Sequence, residues 1–116
     1  MKIRFPFPDR KLSPNSRIDR RYATKERETA RQIGFWLVKD AGWSFSGKLP
    51  LEMTFVICPP DMRRRDDDNV LSSFKSYRDG MFQALELDDS LIKRTVIERS
   101  EVEKGGAIYV ELKEIQ

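Results

Sequence analysis

Leu49-Pro50-Leu51-Glu52-Met53-Thr54-Phe55-Val56-Ile57-Cys58-Pro59-Pro60 sets apolar residues at 49, 51, 53, 55 and 57 against Pro50, Glu52, Thr54, Val56 and Cys58. A two-residue period is that of a strand with one face turned inward, and the proline pair ends it. A charged run follows. Then Val70, Phe74, Tyr77, Met81 and Leu85 recur at spacings of three and four, the stripe of a helix from about Asn69 to Leu85.

Upstream, Lys2 to Pro8 places Ile3, Phe5 and Phe7 against Lys2, Arg4 and prolines, a short edge strand. Asp9 to Tyr22 is polar and basic, interrupted by Pro14 and Asn15, and is expected to be a mobile loop. Thr24 can cap a helix starting near Lys25. Its buried face would carry Ala30, Ile33, Trp36, Leu37 and Ala41, with Gly42 as its stop. Downstream, Leu91 to Val102 is expected to be a strand, Lys104-Gly105-Gly106 a hairpin turn and Ala107 to Lys113 a last strand. The order β-α-β-α-β-β predicts a single α+β domain over residues 1–116, with two helices packed on a mixed sheet. Trp36, Phe74, Tyr77 and Phe82 lie at helical spacing and are expected in the core, as is Cys58.

The composition narrows the chemistry. Charged residues make up 35% of the 116 and the net charge is only +3, so distribution matters more than sum. Between Arg10 and Lys25 there are six basic residues against one acid; between Glu86 and Lys104 six acids face four bases. With no histidine, a His general base, a Ser-His-Asp triad and His-ligated zinc are excluded. The single cysteine allows no intramolecular disulfide and suits a reducing compartment. No apolar run reaches membrane-spanning length, and a cytoplasmic location is expected.

The chemistry concentrates in Arg63-Arg64-Arg65-Asp66-Asp67-Asp68-Asn69. Three cations beside three carboxylates make sense if the carboxylates hold a divalent metal and the arginines a polyanion such as a phosphodiester backbone. In extended backbone Asp66 and Asp68 share a face and can converge on Mg²⁺ or Mn²⁺, with Asp67 pointing away. Lys75 follows Asp68 by two helical turns and could pair with Asp79. Asp88-Asp89 precedes the third strand. If that strand neighbours the one ending at Cys58, it can deliver a further carboxylate. The bland alternative is a solvated loop with weak surface ion pairs.

Pro59-Pro60-Asp61-Met62-Arg63-Arg64-Arg65-Asp66-Asp67-Asp68-Asn69, a helix bearing Phe74-Lys75 and Asp79, and Leu87-Asp88-Asp89 together resemble the RusA family of Holliday-junction resolvases. Pro6-Phe7-Pro8, Leu12-Ser13-Pro14-Asn15 and Lys104-Gly105-Gly106 extend the resemblance over most of the chain. It implies a homodimeric, Mg²⁺-dependent endonuclease, with Mn²⁺ as substitute, that nicks four-way DNA junctions in pairs, in a family many of whose members are carried by phages. Asp66, Asp68 and Asp89 then match the metal-binding aspartates. Lys75 matches the catalytic lysine across a one-turn insertion that leaves Ser72 at the ungapped position. Arg63, Arg64 and Arg65, with Arg17, Arg20 and Arg21, would grip the DNA backbone. The rivals are a branched-DNA-binding protein without cleavage and a nuclease preferring flaps or Y-forks.

Overall fold

The computed structural model describes residues 2–14 and 20–116. Four strands and two helices follow in the order β1 (Ile3–Pro6), α1 (Arg20–Ala41), β2 (Leu51–Cys58), α2 (Asp67–Leu85), β3 (Ile92–Arg99) and β4 (Ala107–Glu114), with 3-10 turns at Arg10–Leu12 and Asp89–Leu91. The strands form one sheet in the order β1-β4-β2-β3. β2 runs parallel to β3, while β4 is antiparallel to both β2 and β1. The α+β class, with a mixed sheet and two packed helices, is as expected from the sequence.

Ile3 and Phe5 of β1, Met53, Phe55 and Ile57 of β2, and Ile108, Val110 and Leu112 of β4 are buried with α2's Val70, Phe74, Tyr77 and Met81 in one core. Phe74 is the hub. Its ring meets Phe5 and Phe55 edge-on at 5.1 and 5.6 Å and stacks on Tyr77 at 5.3 Å. At the opposite surface of the sheet, Glu52 is the one acid among the described residues that is buried. It lies 3.1 Å from Arg94 of β3 and 3.1 Å from Lys113 of β4, bracing both neighbours of β2.

Several expectations are corrected. The first helix begins at Arg20, not near Lys25, so the basic segment expected to be loop as far as Tyr22 is partly helical. Thr24 does not cap it, because its hydroxyl donates to the carbonyl of Arg20 within the helix. Ala30 is buried and Ile33, Leu37 and Ala41 pack against the core as expected, but Ala23, Gly34 and Val38 complete the buried face and Trp36 is 61% exposed. Glycine forms the part of the face that hydrophobic spacing does not show. A Cβ on Gly34 would run into the backbone carbonyl of Tyr77, and one on Gly80 into that of Arg31, so the two helices touch backbone to backbone. Finally, Lys104-Gly105-Gly106 is no hairpin between neighbours, since β2 lies between β3 and β4. The connection instead crosses the end of β2, with Ser100 N donating to Ile57 O at 2.9 Å and Glu103 N to Pro59 O at 3.0 Å. Gly105 and Gly106 supply the positive φ values of its turn. Gly42 ends α1 as expected, with φ of +70°.

Candidate functional site

The charged run folds against its own start. Asp61 accepts from Arg63 N at 2.9 Å and lies 3.0 Å from Arg63 Nη2 and 2.9 Å from Arg65 Nη1. Hydrogen bonds from Arg65 and then Arg63 hold its carboxyl far below the usual aspartate range. Arg65 also donates to the carbonyls of Asp61 and Arg63, and its guanidinium stands 5.5 Å from the Phe7 ring centroid. Sequence reasoning passed over Asp61. The signal was its spacing, since an aspartate two residues before an arginine can accept that residue's backbone N–H in an Asx turn.

Asp66 is the N-cap of α2. Its backbone is extended, and its carboxylate accepts from Asp68 N at 2.9 Å. Asp67 and Asp68 already belong to the first helical turn, so the expected i, i+2 pairing on an extended face does not form. Asp66 lines a cleft of about 610 Å³ with Phe7, Arg63, Arg64, Arg65 and Asn69. Asp68 lines a different one. Asp67 points away from both, accepting from Arg99 Nε at 3.0 Å and so tying the start of α2 to the end of β3.

The second cleft holds about 500 Å³ and gathers Asp68, Lys75, Arg78 and Asp89 over a wall of Phe55, Phe74 and Thr95. Helical periodicity brings Lys75 under Asp68, as the sequence predicts. The topology brings Asp89. Because β3 lies beside β2, its leading 3-10 turn sits against the flank of α2. Asp88 caps that turn through Ser90 N at 2.8 Å, which lowers its carboxyl pKa and leaves Asp89 facing the helix. There it meets Arg78, Nη2 to Oδ2 at 3.4 Å. Lys75 pairs with Asp79 at 2.9 Å as expected, with its side chain 74% exposed. Arg78 was missed by sequence reasoning, although its position three residues after Lys75 puts it on the same helical flank.

Of the four expected catalytic residues, Asp68, Lys75 and Asp89 thus share one cleft, and Asp66 stands beside it in the arginine-lined one. The carboxylate oxygens of the three aspartates are the donors that Mg²⁺ and Mn²⁺ prefer, so the donor chemistry at Asp68 and Asp89 fits a divalent cation. Among the described residues, however, no group of three or more Asp, Glu, Cys or His side chains is disposed to hold an ion. Asp66 is occupied as a cap. Asp89 is held at Arg78, which lies roughly 15 Å of helix rise beyond Asp68. Of the other expected DNA contacts, Arg20 and Arg21 open α1 on exposed positions, and Arg17 lies outside the described residues.

An uncharacterized protein of Xylella fastidiosa (strain Temecula1 / ATCC 700964) is 34% identical over 113 residues, which cover 93% of this chain and 72% of that protein. The chain belongs to the same family as that protein. No family model matches it. Among the described residues no helix is long and apolar enough to cross a membrane.

Proposed function

We propose that the chain is a metal-dependent, structure-selective DNA endonuclease of the RusA kind, acting as a homodimer on four-way junctions in the bacterial or phage-infected cytoplasm. The observation that carries this reading is one cleft, beside the arginine-lined one, to whose lining Asp68, Lys75 and Asp89 all contribute. Two carboxylates distant in sequence and a lysine suit hydrolysis of a phosphodiester without histidine. Asp68 and Asp89, joined by Asp66, would hold Mg²⁺ or Mn²⁺, whose chemistry there is an activated water and charge for the departing 3′ oxygen. Lys75 is long and exposed enough to leave Asp79 for a phosphate oxygen, where its charge offsets that developing in the reaction. Arg64, with Arg63 and Arg65 on their Asp61 anchor, positions the backbone without reading sequence. A two-fold junction suits a two-fold protein, one cleft for each strand nicked.

Asp66→Asn separates chemistry from folding, because asparagine caps a helix as well as aspartate does. Mg²⁺-dependent nicking of a synthetic four-way junction should vanish in this variant while junction binding remains. Wild-type cutting by Asp66→Asn would remove Asp66 from the site. The same assay with flap and Y-fork substrates ranks the nuclease's preferences.

The present engagements of Asp66 and Asp89 favour a second reading, a branched-DNA-binding protein that does not cleave. It predicts junction binding with no product under any divalent cation.

A further inference from the structure

Arg78 carries a hydrogen-bonding edge that the protein leaves half empty. Its Nε is buried and is the one buried side-chain nitrogen or oxygen, among the described residues, that finds no partner. Its Nη2 reaches Asp89 Oδ2 at 3.4 Å, longer than the span in which N–H···O bonds concentrate. Nε and Nη2 are the two prongs of the guanidinium's side-on fork, the edge that takes two oxygens of one carboxylate or phosphate. Asp89 engages one prong weakly and the other not at all. Arg78 stands in the cleft with Lys75, about one turn along the same helix.

We propose that Arg78 is a phosphate-binding residue of this cleft and that phosphate and Asp89 exchange on it. Asp89 moves off the guanidinium, and both non-bridging oxygens of one phosphodiester then take the Nε–Nη2 fork that is uncovered. In the resting protein that guanidinium holds Asp89 by charge, keeping it at the far end of the cleft from Asp68. Nucleic-acid binding therefore frees the carboxylate that the cleft requires. This rests on the nucleic-acid reading above and adds to it a residue and an order of events.

The test compares wild type, Arg78→Gln and Arg78→Lys, each checked for folding by circular dichroism. Binding of a synthetic four-way junction is measured in EDTA over a range of salt. Arg78→Gln should bind more weakly and lower the log–log salt slope by about one. Arg78→Lys, which keeps the charge without the fork, should retain the slope and still lose affinity several-fold. In a second measurement without DNA, calorimetric titration with Mn²⁺ should show tighter binding to Arg78→Gln than to wild type, since Asp89 no longer has a competing cation. An unchanged slope in Arg78→Gln overturns the proposal while leaving the nuclease reading standing. If Arg78→Gln does not fold, wild-type affinity in Arg78→Lys overturns it. A wild-type protein that binds no branched DNA sinks both.

Discussion

At the scale of single residues, acids here act mainly by holding arginines in place. Asp61 fixes the guanidinium groups of Arg63 and Arg65, and the pair of hydrogen bonds depresses its pKa. The sign of the linkage follows. A depressed carboxyl contributes stability that is present above its unfolded value of ~3.9 and lost as pH falls toward the folded one. Thermal melts of wild type and Asp61→Asn should therefore differ at neutral pH, with wild type higher, and the gap should narrow progressively as pH falls below ~3.9. The difference should be small, because the group is partly exposed and salt screens it. Parallel curves at all pH values would show that the Asp61 ion pairs contribute nothing. The sequence displayed these charges in full. It did not display their pairing, because three arginines in a row offer equal partners and only the turn at Asp61 selects among them.

At the scale of elements, the two helices are joined through glycine. Gly34 and Gly80 let the backbones of α1 and α2 meet with no side chain between. Gly80→Ala should destabilise the fold by on the order of 1–3 kcal/mol through overpacking, although alanine is the better helix former. Urea denaturation measures this, and a stabilised Gly80→Ala would refute the close crossing. The apolar stripe of α2 was legible residue by residue, from Val70 through Met81. That of α1 was legible at Ala30, Ile33, Leu37 and Ala41 but not at Gly34, since a glycine contributes nothing to a hydrophobic pattern, and Trp36, at the same spacing, is exposed. Strand positions were legible from their alternation. Strand partners were not. The glycine turn at 104–106 looks the same in sequence whether its strands pair directly or straddle a third. Glu52 is similar: an acid at an alternating position of β2 reads as solvent-facing, yet it is buried between Arg94 and Lys113.

At the scale of the whole molecule, two clefts share the start of α2, one lined by Arg63, Arg64 and Arg65 and the other by Lys75 and Arg78. A phosphate backbone crossing both would meet Arg63, Arg64 and Arg65 in one and Lys75 and Arg78 in the other, beside the carboxylates of Asp66, Asp68 and Asp89. Arg64→Gln should weaken binding to junctions, flaps and Y-forks by similar factors and reduce the salt slope, because contacts of this kind position rather than specify. Loss confined to one substrate would assign Arg64 to shape recognition instead. The motif residues themselves were legible in the sequence, and three of the four line one cleft. Their division between two clefts was not, because it depends on where α2 begins. The helix starts at Asp67, which turns Asp66 outward as a cap and carries Asp68 to the other side.

The glycine crossing has a mechanical consequence. Helices in backbone contact have no lubricating layer of side chains, so α2 cannot slide or roll against α1 without breaking the fold. Asp68, Lys75 and Arg78 all ride on α2 and keep their mutual spacing as the teeth of one comb. The adjustable wall of the cleft is then the short turn at Asp89–Leu91, whose residues are not buried. Whatever tolerance the cleft has for ligands of different width resides in that turn.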